Sequence, residues 1–222
     1  MSYAREERAA LAALLDETGP DGPTLCEGWR TRDLAAHLVL RERRPDAAAG
    51  VLGGPLAGHT ARVQQGFLDR YSYSDLVDLF RSGPPRLSVF AIPAADEAAN
   101  AVEYFVHHED VRRAVDGWTE RQLDDGFVEL LWKRLKAARM LLRAAPTGVV
   151  LAREDGGKLD LIVAKSTGSP GNTGSPGNTG PSVTVTGAPA ELTLWAMGRG
   201  RAAHVSLDGT DEAVARLAAW RA

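Results

Sequence analysis

The chain has a single cysteine, Cys26, so no internal disulfide can brace it, and a lone thiol fits a reducing cytoplasm. It has no apolar run near the roughly 20 residues that a membrane-spanning helix needs. It has no basic surplus: 26 lysines and arginines against 29 acids give a net charge of −3. That balance leaves no electrostatic footprint for nucleic acid. There is no Walker loop, no Gly-x-Gly-x-x-Gly turn, no His-Glu-x-x-His pair and no Gly-x-Ser-x-Gly elbow. Nucleotide-binding, zinc-protease and serine-hydrolase readings therefore lack their defining residues. The first residues, MSYAREERAALAALLDE, are too charged for a secretory signal. The expectation is a soluble cytoplasmic protein whose partners are small molecules, with neither membrane nor nucleic acid among them. No residue reads out its oligomeric state.

What is present is an ordinary globular composition, 44% hydrophobic and 25% charged over 222 residues, enough for one large or two small cores. Alanine and arginine are abundant and lysine scarce, a composition bias that inflates helix propensity, so helices are assigned from apolar spacing instead. Residues 1–118 read as a helical bundle. Leu11, Leu14 and Leu15 mark a first helix that Thr18-Gly19-Pro20 stops. A second helix carries Leu34, His37, Leu38 and Arg41 on one face, with Thr31 at the N-cap position and Asp33 in its first turn. Weaker helices are expected over Ala61–Arg70 and Tyr73–Phe80, and a long one over Ala94–Val115. Helices of this kind joined by loops suggest a bundle.

Residues 119–222 read as a small α+β unit. One helix is expected over Arg121–Ala144. Strands are expected at Gly148–Ala152, Leu159–Val163, Ser182–Thr186 and His204–Leu207, with Asp155-Gly156-Gly157 as a hairpin turn. Short helices follow at Glu191–Met197 and Asp211–Trp220, giving helices on a mostly antiparallel sheet. A six-residue unit, Gly-Ser-Pro-Gly-Asn-Thr, is repeated from Gly168 and Gly174 and reads as a duplication within a flexible surface loop, 165–181.

The sharpest chemical feature is EYFVHHED. On a helix Glu103 and His107 stand four apart and share a face, a two-point grip for zinc, iron, nickel or manganese. His108 is turned about 100° away. A Glu–His pair at this spacing is also an ordinary surface contact, and His37 between Leu34 and Leu38 is also an ordinary core histidine. If the two helices face each other, His37, Glu103 and His107 supply two nitrogens and one oxygen and leave a position open for water or substrate. Spacing leaves both readings standing.

The segment Thr24-Leu-Cys-Glu-Gly-Trp-Arg-Thr-Arg-Asp-Leu-Ala-Ala-His-Leu38, with its Gly-Trp, Arg-Asp-Leu and His-Leu, resembles the hallmark of the mycothiol-dependent maleylpyruvate isomerase family, and Glu103 with His107 resembles its second motif. The resemblance spans nearly the whole chain. It implies a fold that is mainly α with a small α+β domain: a DinB/YfiT-like four-helix bundle, then a sterol-carrier-protein-like domain. It implies a divalent metal, zinc being the common one, held by His37, Glu103 and His107. It further implies mycothiol as a possible thiol cofactor, a small electrophilic substrate, and a basic residue from the C-terminal half, for which Arg199 and Arg201 are the candidates. Isomerase and thiol S-transferase share these ligands. A non-catalytic metal-binding or small-molecule-binding module is the alternative, and there an extra donor such as Cys26 or His108 closes the open position.

Among the remaining residues, Trp29 is read as packing at the helix start and Asp33 as a helix-start acid. Cys26 is read as a small buried side chain near the site. Glu109, Asp110, Arg112 and Arg113 are read as a solvated run, one arginine of which suits an anionic substrate. His59 and His204 have no nameable partners.

Overall fold

The computed structural model describes residues 2–48, 56–86, 88–162 and 181–221. The duplicated Gly-Ser-Pro-Gly-Asn-Thr segment, most of the expected 165–181 loop and Val163 lie outside the described residues. The chain divides into two compact units, Met1–Glu120 and Arg121–Ala222. Among the described residues no helix is long and apolar enough to cross a membrane.

The first unit is helical: α1 (Tyr3–Thr18), α2 (Thr31–Arg43), the single turn α3 (Pro45–Ala48), α4 (Ala57–Arg70), α5 (Tyr73–Arg81) and α6 (Pro93–Arg112). Four of these share one core. Leu11 and Leu15 of α1, Leu34 and Leu38 of α2, Leu76 and Phe80 of α5, and Tyr104 of α6 are all fully buried. α4 packs on α2, with Phe67 and Leu68 half-buried against that core. At two of these helix starts a side chain satisfies an orphan backbone donor. At α5, Ser72 accepts from the Asp75 amide while Asp75 accepts from the Ser72 amide. At α2 the cap is Arg30 and not Thr31: the Arg30 amide donates to Asp33 Oδ2 at 2.8 Å. Thr31 is already helical, because its hydroxyl is spent on the Gly19 carbonyl at the end of α1.

The second unit holds α7 (Asp125–Arg134), a 3₁₀ turn over Leu135–Ala138, α8 (Arg139–Leu142), β1 (Gly148–Arg153), β2 (Lys158–Ile162), β3 (Ser182–Gly187), α9 (Pro189–Ala196), β4 (Ser206–Asp208) and α10 (Asp211–Arg221). The helix expected over Arg121–Ala144 is thus three pieces. Asp124 caps the first by accepting from Phe127, and tightening to three residues per turn keeps Leu135 and Ala138 on the side buried with Leu142. The sheet order is β2-β1-β3-β4, with two antiparallel pairings and a parallel one, β1 with β3. The β1–β2 hairpin turns at Gly156, whose φ of 103° suits glycine. The last strand starts at Ser206, later than expected, because the His204 amide is engaged by Glu191 Oε2. This unit has its own core, including Leu142, Val149, Leu151, Val183, Val185, Leu192 and Leu217.

Candidate metal centre

The centre forms on α6, whose interior face carries an uncommon stripe. Asp96, Asn100, Glu103, His107 and Asp110 recur at alternating spacings of four and three, the period of a seam that faces another helix. Four of the five are buried; the Glu103 side chain keeps 19% of its surface exposed, so the cluster is reachable from outside. α2 supplies the facing residue, His37, which is 2% exposed.

The structure brings the three predicted residues together. Glu103 Oε1 lies 3.1 Å from His107 Nε2 and 3.5 Å from His37 Nε2. One ligand atom from each lies within 4.8 Å of the others, and the two imidazoles meet edge to face with centroids 5.1 Å apart. Burial pushes the His37 pKa down to about 4, and the charges of His107 and Arg41 act in the same direction against the Glu103 hydrogen bond, so His37 is neutral at neutral pH. Burial pushes Glu103 upward, but Arg41 and the two histidines outweigh it and hold its carboxyl well below the usual range. His107 is driven down by burial and, more strongly, up by Asp110, Cys26 and Glu103, and ends well above an ordinary histidine.

Asp110 stands behind the cluster, its Oδ2 2.8 Å from His107 Nδ1. It was expected at the surface, with Glu109, Arg112 and Arg113. Instead Asp110 is fully buried, Glu109 is 1% exposed and Arg113 is 5% exposed. Two contacts explain this. The loop before α2 closes over the end of α6 through the Leu25 amide and the Asp110 carbonyl, 3.0 Å apart. Glu109 is enclosed as an ion pair with Arg113 at 2.6 Å and Arg112 at 3.0 Å. Only Arg112 is partly exposed, and it is occupied by Glu109 and the Thr119 carbonyl.

That same loop explains the Cys-Glu-Gly-Trp run. The Trp29 amide returns to the Cys26 carbonyl across a turn whose third residue, Gly28, has φ 75°, a value glycine adopts without strain. The turn places its two ends on different sides of the cluster. Trp29 packs tilted against His37, centroids 5.1 Å apart. Cys26 Sγ lies 3.2 Å from Asp110 Oδ2 and 4.0 Å from His107 Nδ1, so Cys26, His107 and Asp110 form a second possible ligand group sharing one histidine. A pocket of about 400 Å³ lies elsewhere on this unit, and one of about 300 Å³ opens beside His37, lined by Trp29, Asp33, Thr60, Gln64 and Leu68 among others.

Sequence reading missed how Glu103 is supported. Arg41 Nε stands 3.3 Å from Glu103 Oε1 and its Nη1 donates to Asn100 Oδ1; Asn100 in turn donates to Asp96, which pairs with Arg8. The seven-residue rhythm of polar residues on α6 was the available signal. Within the first unit the other two histidines have partners of their own. His108 faces away and pairs with Glu7 at 3.3 Å. His59 pairs with Asp46 at 2.9 Å. In the second unit Arg199 donates to the Met197 carbonyl, and Arg201 is exposed on the turn Gly200–Ala202.

Residues 2–129 match the family described as the mycothiol maleylpyruvate isomerase N-terminal domain. Two solved structures share the fold: the mycothiol-dependent maleylpyruvate isomerase, at TM-score 0.54 and 17% identity, and a histidine-to-alanine mutant of it, at 0.55 and 16%. Each comparison covers 93% of this chain and 90% of the other. No curated protein sequence matches.

Proposed function

The chain belongs to the mycothiol maleylpyruvate isomerase N-terminal domain family, and from that premise we propose that His37, Glu103 and His107 hold one divalent cation, zinc being the first choice, at a site that serves a thiol-dependent reaction. The observation that carries this reading is the convergence of His37 Nε2 and His107 Nε2 on Glu103 Oε1, at 3.5 and 3.1 Å. A tetrahedral ion with bonds of about 2.0–2.1 Å has ligand-to-ligand edges of about 3.3–3.4 Å, so the three atoms fit around one ion with little movement. The donor set, two imidazole nitrogens and a carboxylate oxygen, suits zinc and its neighbours.

The chain's own residues prepare that site. Burial keeps His37 unprotonated, so its lone pair is available. Arg41 keeps Glu103 ionised. Asp110 accepts from His107 Nδ1 and leaves Nε2 to face the cluster, the support that ligating histidines commonly have. His107, raised in the metal-free chain, would give up its Nε2 proton to make way for an ion. When bound, a divalent ion lowers the pKa of a coordinated thiol or water. The 300 Å³ pocket at His37 is at the small end of ligand sites, with Trp29 and Leu68 to exclude water and Gln64 as a polar contact. A low-molecular-weight thiol such as mycothiol, once ionised there, adds through sulfur to an electrophilic carbon. Isomerisation would result if the enolate adduct rotates about its former double bond and expels the thiolate. S-transfer would result if the enolate instead takes up the proton that the thiol gave up and the new C–S bond is kept.

The position of Cys26 favours this over a closed, non-catalytic site. Its sulfur contacts His107 on the Nδ1 side, with Asp110, and His108 is engaged by Glu7, so neither closes the Nε2 side. The test is elemental analysis of the purified chain and of His37→Ala, Glu103→Ala and His107→Ala. About one ion per chain, lost in each variant, supports the reading. Metal that survives all three changes overturns it.

A further inference from the structure

We propose that the second pocket of the helical unit, about 400 Å³ between α1, the end of α5 and the loop leading to α6, binds the phosphate group of a small molecule. Four arginines line it, Arg5 and Arg8 on α1 and Arg81 and Arg86 at and just beyond the end of α5, with Asp96 in the same wall. Arg8 and Arg81 are already neutralised by acids, so the unpaired positive charge is that of Arg5 and Arg86. These arginines differ in what already holds them. Arg8 is buried and fixed, pairing with Glu42 at 2.9 Å and Asp96 at 3.0 Å and lying over the Tyr104 ring. Asp96 is therefore already engaged, by Arg8 and by the Asn100 amide. Arg81 is held at the rim by Asp16 and Asp78. The Arg5 and Arg86 side chains have no hydrogen-bond or ion-pair partner among the described residues, and both residues are exposed.

Unpaired charge beside a concave surface raises the local concentration of counter-ions, and here Arg5 and Arg86 supply it. Like-charged guanidinium groups around one hollow are relieved when an anion enters. Guanidinium forks match the oxygens of phosphate, and the two unpaired guanidiniums of Arg5 and Arg86 suit a doubly charged phosphate better than a single carboxylate. Gly83, buried at the pocket with φ 78°, brings bare backbone to the wall beside the Arg8 guanidinium. Phe90, half-buried in the lining, gives an apolar surface for the rest of the ligand. A nucleic acid is disfavoured by the chain's net charge of −3.

The probe is inorganic phosphate, titrated calorimetrically into the full chain at constant ionic strength, with acetate as the comparison anion. Saturable phosphate binding is expected, tighter than acetate, weakened about tenfold in Arg5→Ala or Arg86→Ala and lost in the double change. Both residues are exposed, so unchanged circular dichroism and melting should accompany the loss. Absence of saturable binding overturns the proposal. Binding that survives the double change also overturns it, since phosphate then sits elsewhere, a bound metal ion included. Acetate binding as tightly as phosphate overturns the assignment of the ligand's charged group.

Discussion

Asp110 Oδ2 lies 2.8 Å from His107 Nδ1, at the ring edge opposite the Nε2 that faces Glu103. A histidine can offer a metal only one nitrogen at a time, and a carboxylate accepting from the other fixes which one that is. Asp110→Asn keeps the shape of this fully buried side chain but removes its charge. Metal affinity, read by competition with a chelating dye, should fall about 10–100-fold. The melting temperature of the metal-free variant, measured alongside, separates this from a folding defect. An unchanged affinity in a folded variant would show that Asp110 does nothing for His107.

Cys26 distinguishes the two ligand groups that share His107. If the ion sits with His37 and Glu103, the thiol lies behind the His107 ring and contributes one weak contact to Nδ1. Cys26→Ala should then retain a full complement of metal, with affinity altered by less than about tenfold, a smaller change than for Asp110→Asn. Loss of the ion in Cys26→Ala would move the site to Cys26, His107 and Asp110.

The difference between what was legible and what was not follows the length of the interaction. The helices carrying His37 and Glu103 were visible because an apolar face repeats every few residues, and because partners four apart meet on one helix. The facing of α2 and α6 came from resemblance and bundle logic, since no local signal brings residues 66 apart in sequence to 3.5 Å. Asp110 was misread for a physical reason. Glu109-Asp110-Val111-Arg112-Arg113 has the composition of a solvated surface, and it is buried only because Leu25, 85 residues earlier, covers the end of α6. Arg8 and Asp96 likewise look like surface charges until the fold pairs them across 88 residues.

Tyr104 tests that buried charge cluster without touching the candidate ligands. Its hydroxyl donates to Glu42 Oε1 and accepts from Arg8 Nη2 at 3.2 Å, while its ring packs edge to face on Phe80. Burial already pushes the Glu42 pKa up, and its Oε2 is buried without a hydrogen-bond partner. Tyr104→Phe keeps the ring and removes one of the few donors that Glu42 has. Chemical denaturation should show a loss of roughly 1–3 kcal/mol, with metal content unchanged. A variant as stable as the parent would mean that this hydroxyl is replaceable by water.

His37 and His107 pull the stability of the metal-free chain in opposite directions along the pH axis. His37 titrates near 4 when folded and near 6.5 when unfolded, so below 6.5 the unfolded chain takes up a proton that the folded chain refuses. Stability linked to His37 is present above 6.5 and is lost as pH falls towards 4, on the order of 3 kcal/mol for a shift of this size. His107 is raised, so its contribution is complete below 6.5 and fades as pH rises through its folded value. Between pH 6.5 and 4 the His107 contribution is therefore flat, while Glu103, held low, and Glu42, pushed up, also shape the slope. The share of His37 is read as the difference between the parent and a His37 variant. In denaturation curves measured across that window with metal removed by a chelator, His37→Gln should lose much less stability than the parent as pH falls. Parallel slopes for the two proteins would mean that His37 already carries its proton in the folded state. In that case it could bind an ion only by giving that proton up, and metal affinity would show the cost as a steep dependence on pH.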